Sequence, residues 1–130
     1  MSQARIITCA ILGAELSREQ TPYLPLTPDE LALSAQEACA GGASIIHLHV
    51  RDEDGKPTLE LNRINEVIAK IKHLVPDVII QISTGGAVSD SYESRINVLS
   101  AQQIEMASLT TGTTNFGDDV FLNPRPLVEQ

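Results

Sequence analysis

Two histidines, His47 and His49, lie in the run Ser44-Ile45-Ile46-His47-Leu48-His49-Val50-Arg51-Asp52. The run has the length and apolar content of a buried strand, and strand side chains alternate between faces. His47 and His49 therefore share one face, while Ile46, Leu48 and Val50 share the other. Imidazoles so placed suit a divalent metal: neutral imidazole is a common zinc ligand, and a catalytic zinc keeps an open position beside its protein ligands. The competing reading is a pair of satisfied polar side chains in a sheet or barrel interior. Arg51 and Asp52 follow directly and are expected to form an ion pair that orients the strand's end.

Other groups could act on a small molecule. Ser83-Thr84-Gly85-Gly86 offers hydroxyls and a backbone free to turn its amides toward an anion, a small cradle for a carboxylate or phosphate. It carries neither the Gly-Lys-Ser/Thr of a triphosphate loop nor Gly-x-Gly-x-x-Gly, which disfavours nucleotide triphosphates. Glu15 can orient a polar or cationic group, or act as a base if burial raises its pKa. Thr110, Thr111 and Asn115 can donate hydrogen bonds to a bound acid, or cap their own loop.

The elements that must hold these groups alternate between strand and helix. A strand over residues 6–10 enters a long loop to Leu26. Thr27-Pro28-Asp29-Glu30 then reads as a helix start, with Thr27 as cap, Pro28 in the first turn and Glu30 at the capping-box position. That helix runs to Ala40, with a stripe of Leu31, Ala35, Ala38 and Cys39, and Gly41-Gly42 ends it. After the histidine strand, Asp54-Gly55 and Pro57 mark a turn. A second helix spans residues 61–73, burying Ile64, Val67, Ile68 and Ile71, with His73 a structural residue near its C-terminus. A third strand covers residues 78–82. A short helix over 92–99 is capped by Asp90 or Ser91, and a fourth strand covers 105–109. This order predicts a parallel sheet of βα units. Each suggestive cluster follows the C-terminal end of a strand, where a (β/α)8 barrel assembles its active site. Four strands are half of such a barrel, and the spacing predicts one partial barrel domain over residues 1–130 with no internal boundary.

The chain has 130 residues and a net charge of −8, with 9 Lys and Arg against 17 Asp and Glu. That balance opposes the counterion release on which nucleic-acid binding relies, and scarce aromatics disfavour base stacking. No run has the length of a membrane span or a signal peptide, so a cytoplasmic protein without membrane contact is expected. Cys9 and Cys39, far apart and outside any Cys-x-x-Cys pattern, read as small hydrophobes.

Together, Ile7-Thr8-Cys9-Ala10 with Gly13-Ala14, Pro22 to Thr27-Pro28, Ala40 to Asp52, Ser83-Thr84-Gly85-Gly86, and Ala107-Ser108-Leu109 with Asn115-Phe116 resemble the β-keto acid cleavage enzyme family. The resemblance spans nearly all of the chain, and the His-Leu-His-Val-Arg-Asp block is its most specific part. It implies a zinc-dependent (β/α)8 barrel that converts a β-keto acid and acetyl-CoA into acetoacetate and the CoA ester of the remaining acyl part. On this resemblance His47 and His49 are the metal ligands, Ser83 with Gly85-Gly86 holds the keto acid's carboxylate, and Glu15 meets its variable far end.

Members of that family are about twice as long. Their third ligand, a glutamate, and an assisting arginine and aspartate come from the second half of the barrel. The resemblance therefore makes residues 1–130 an N-terminal half-barrel: a truncated gene product, a fragment or a proteolysed piece, with catalytic competence in question. Such a half exposes the edges of its first and fourth strands, which predicts a homo-oligomer; a monomer in light scattering would refute that. The alternatives to a cleavage enzyme are a non-catalytic metal-binding half-barrel and another metal-dependent barrel hydrolase.

Overall fold

The computed structural model describes residues 3–130. Its centre is a parallel sheet of β1 (Thr8–Ala10), β2 (Ile45–Leu48), β3 (Ile79–Ile82) and β4 (Met106–Ala107), in that spatial order. Between them run α1 (Pro28–Ala40), α2 (Leu61–Leu74) and the short α3 (Tyr92–Asn97), which continues into a 3-10 turn over Val98–Ser100. The expected succession of βα units is present. The strands are shorter than the sequence suggested, most of all the edge strand β4, which has two residues and one neighbour to pair with.

Three elements beyond the expected ones follow. β5 (Thr114–Phe116) and β6 (Asp119–Phe121) form an antiparallel hairpin, followed by α4 (Arg125–Val128). The hairpin turns at Gly117-Asp118, where Gly117 takes a φ of 64°, a left-handed conformation that glycine adopts without strain.

The helix caps behave as their residues dictate. The Thr27 side chain accepts from the Glu30 amide while the Glu30 side chain accepts from the Thr27 amide, a complete capping box. Gly42, at φ 106°, turns the chain out of α1 as its amide reaches back to the Cys39 carbonyl. Of the two candidates for the α3 cap, Ser91 holds the position and accepts from the Ser94 amide, while Asp90 accepts from the Ala87 amide. Asp52 accepts from the amides of Asp54 and Lys56, closing the turn that contains Gly55.

One face of the sheet is fully covered. Ile46, Leu48, Ile80 and Ile82 are buried in one core with Leu31, Ala32 and Ala35 of α1 and with Ile64, Val67, Ile68 and Ile71 of α2. Burial of each of these valine, leucine and isoleucine side chains contributes roughly 1.5–3 kcal/mol, so this layer is the main source of stability. Ala38 and Cys39 lie at its margin, half-buried, and Cys9 packs there too. His73 is exposed near the end of α2. The opposite face carries His47, in register with Ala10 on one side and Gln81 on the other, and is much less covered: Ala10 and Met106 are exposed.

Glu30 ties the long loop to α1. Its carboxylate also accepts from the Leu26 amide at 3.0 Å and pairs with Arg18. The Thr27 and Leu26 amides hold the Glu30 carboxyl down at about 2, below its ordinary 4.5. A carboxylate with a depressed folded pKa stabilises the fold above its unfolded pKa and loses that contribution as pH falls toward the folded value. Glu30→Gln is therefore expected to destabilise by about 1 kcal/mol at neutral pH, a modest figure because solvent screens this exposed side chain. The difference from wild type should shrink between pH 4.5 and 2. Urea titrations across that window would show it, and a gap independent of pH would refute it.

Candidate active site

The loop after β1, the end of β2, the turn after β3 and the β5–β6 hairpin meet around an open cleft of about 470 Å³. Its lining includes Glu15, His49, Gly85, Gly86, Thr110 and Phe121. All but Phe121 were singled out in the sequence, from four separate segments.

His49 is half-buried just beyond β2. Burial, followed by the neighbouring His47 and Arg51, pushes its pKa down to about 4, so the imidazole is neutral at physiological pH with a lone pair available. The His47 ring stands edge-on to it, with centroids 5.2 Å apart and planes at 70°. His47 Nδ1 lies 2.8 Å from Gln81 Oε1. Among the described residues no group of three His, Cys, Asp or Glu side chains could hold a metal ion.

The turn after β3 is shaped by its own atoms. The buried Ser83 hydroxyl donates to the Gly85 carbonyl and accepts from the Gly85 amide. Ser83 therefore shapes the turn and lies in a small recess that His49, Gly85 and Gly86 also line. A Cβ on Gly86 would sit 1.9 Å from Asp90 Oδ2 and 2.9 Å from Leu59 Cδ1, so only glycine fits without displacing both. Thr84 faces elsewhere: its hydroxyl donates to the Ser108 carbonyl at 2.7 Å, stitching β3 to the end of β4, and it lines a separate cavity of about 240 Å³. Thr110 lines both spaces. Asn115, in register with Val120 on the exposed hairpin, is not among the residues of the cleft wall. Glu15 is exposed on the cleft's rim, without the burial that a base role requires.

Arg51 does something other than pair with Asp52. It is 3% exposed, and its guanidinium donates to the carbonyls of Gly13, Leu16 and Gly55. Its Nε is buried without a partner among the described residues. The Gly13 and Leu16 carbonyls flank Glu15, so Arg51 fixes the segment that carries Glu15 over the end of β2. Asp52 spends its oxygens on the turn instead. The reason is reach: a fork of donors can bridge two loops, whereas a short carboxylate finds amides within its own turn.

Arg95 of α3 works in the same way beneath the opposite wall. It is 6% exposed, donates to the carbonyls of Thr84 and Leu122 and to Asn123 Oδ1, and lies 4.2 Å from the centre of the Phe121 ring. One side chain thus joins the β3 turn to the hairpin. Neither Arg95 nor Phe121 was singled out in the sequence, where an arginine on a short helix reads as a surface charge. Gln81 was also passed over, although a lone amide in the apolar run Val78-Ile79-Ile80-Gln81-Ile82 is a signal that could have found it.

A parallel β/α array with its polar groups gathered at the C-terminal ends of the strands is the arrangement of a (β/α)8-barrel enzyme. The sequence profile of the beta-keto acid cleavage enzymes matches residues 5–130, and the chain belongs to that family. It is 48% identical over 124 residues to a 3-keto-5-aminohexanoate cleavage enzyme of Fusobacterium nucleatum, covering 95% of this chain and 45% of that protein. It is 40% identical over 129 residues to a 3-oxoadipate:acetyl-CoA acetyltransferase of Cupriavidus necator, covering 99% of this chain and 45% of that one. The chain thus spans under half the length of these relatives. The solved apo structure of ObcA superposes with a TM-score of 0.69 at 20% identity, covering 83% of this chain and 27% of that one, a likeness of fold. No helix among the described residues is long and apolar enough to cross a membrane.

Proposed function

We propose that this chain supplies the histidine pair and one wall of a zinc-dependent β-keto acid cleavage site. The reaction is that of a β-keto acid with acetyl-CoA, giving acetoacetate and a new acyl-CoA. The bond between the keto carbon and the carboxymethyl carbon and the acetyl–sulfur bond of acetyl-CoA break, the carboxymethyl carbon joins the acetyl group, and the remaining acyl group passes to the CoA sulfur, so the atoms balance. The observation that carries the reading is the meeting of His49, Glu15 and Gly85-Gly86 around one cleft, with His47 beside His49.

The donor set fits a metal in part. Two imidazoles side by side are suitable as two ligands of a divalent ion, and among the described residues no third His, Cys, Asp or Glu side chain joins them. A zinc ion held by His47 and His49 would act as a Lewis acid toward the ketone. The chain's own groups do the rest of the binding. The Gly85-Gly86 end of the turn takes the substrate's carboxylate, Thr110 contributes a hydrogen bond, and Glu15 on the rim meets the far end. That rim position suits selection among substrates, since relatives are named for keto acids with an amino group in one case and a second carboxylate in the other.

The test is direct. The purified chain, loaded with zinc, is incubated with acetyl-CoA and a panel of β-keto acids, and acetoacetate and new CoA thioesters are measured. Formation of both in equal amounts supports the reading. The partial ligand set favours one other outcome, zinc bound at stoichiometric level with no turnover, which would make this chain a metal-binding half-barrel without catalysis.

A further inference from the structure

His47 and Gln81 face each other across the β2–β3 ladder. They are register partners on adjacent parallel strands, so their side chains leave the sheet on the same face. That face is otherwise lined at β3 by Ile79, and an amide placed there without a partner would cost stability. The partner is the imidazole: Gln81 Oε1 lies 2.8 Å from His47 Nδ1.

The chemistry of the pair is one-sided. An amide oxygen only accepts, so the ring nitrogen facing it carries the proton. A neutral imidazole has a single N–H, which leaves Nε2 bare with its lone pair. Were the amide reversed, its NH2 would face Nδ1, the proton would move to Nε2, and the ring would offer no outward lone pair. No comparable hydrogen bond to His49 is made among the described residues.

We propose that Gln81 is a positioning residue that holds His47 as its Nδ1–H tautomer and so presents Nε2 as the free, ligating nitrogen. The metal part of this inference rests on the zinc reading above; the tautomer part does not. Outer partners of this kind set ring orientation and basicity, and their loss typically lowers metal affinity about 10–100-fold.

The experiment reads the tautomer first, in metal-free protein labelled with nitrogen-15, from long-range proton–nitrogen correlations of His47 in its neutral form. Wild type should show a protonated Nδ1 and a bare Nε2. Gln81→Leu should give a mixture of tautomers and weaken cobalt(II) binding, followed by its visible spectrum, by about 10–100-fold. Gln81→Glu restores an oxygen acceptor of the same reach and should return the single tautomer. A protonated Nε2 in wild type, or a tautomer unchanged in Gln81→Leu, overturns the proposal. Where Gln81→Leu folds poorly, Gln81→Met, which keeps the side chain's length without an oxygen acceptor, gives the same reading, and a single Nδ1–H tautomer in it overturns the proposal. A tautomer that depends on Gln81 in a chain that binds no cobalt would leave the assignment standing and overturn the zinc reading alone.

Discussion

Replacing both His47 and His49 with alanine is expected to lower the chain's affinity for zinc by at least about 100-fold, more than the loss of an outer partner alone. The fold should survive. Both side chains are half-buried on the face away from α1 and α2, while Ile46, Leu48 and Val50, which alternate with them, stay in the core. The cost to stability is therefore expected to be about 1 kcal/mol, that of an ordinary substitution outside a packed core. Elemental analysis after dialysis, with urea unfolding on the same samples, measures both. Zinc retained by the double variant would show that the ion sits elsewhere, and the cleft would then need another chemistry. Zinc lost along with the fold would mean that the two rings are packing groups.

Arg95→Met is expected to destabilise the protein by roughly 1–3 kcal/mol, the range for leaving buried acceptors without their donor. Methionine keeps much of the side-chain volume but leaves the Thr84 and Leu122 carbonyls and Asn123 Oδ1 without their shared donor. It also removes the cation over the Phe121 ring, a further contribution of about 1 kcal/mol. The damage should be local first. Among the described residues β5 and β6 pair only with each other, so the hairpin depends on Arg95 and on Asn123, whose amide donates to the Gly112 carbonyl. Amide hydrogen exchange should show residues 114–121 opening well before β2 and β3. Protection of the hairpin equal to wild type would refute this role for Arg95. Since Phe116 and Phe121 line the cleft, loss of the hairpin would remove one wall of the site with His47 and His49 untouched.

Both results depend on which parts of the molecule are specified locally. The caps of α1, the buried stripe of α2 and the alternation through His47 and His49 were legible because each depends on residues within a turn or a few strand positions of one another. The hairpin over 114–121 was missed although Gly117-Asp118 is a recognised two-residue turn. Its strands are three residues each and mostly exposed, so they lack the apolar alternation that announces a strand. The expected Arg51–Asp52 ion pair failed for a related reason. Adjacent charges suggest a pair, but the Gly13 and Leu16 carbonyls, more than thirty residues earlier, present Arg51 with better-placed acceptors once β1 lies beside β2.

The sequence by itself determined the family, through the blocks that carry the resemblance, and the β/α succession, the shared face of His47 and His49 and the turn at Ser83 to Gly86, because period and local hydrogen bonding decide these last three. Tertiary structure alone decided that Gln81 stands opposite His47, that Arg51 and Arg95 are buried clamps, and that Glu15, Gly86 and Phe121 share one cleft. Those outcomes depend on strand register and on loops brought together from distant segments. No local pattern encodes such pairings, since their energy exists only when the sheet and its core have formed.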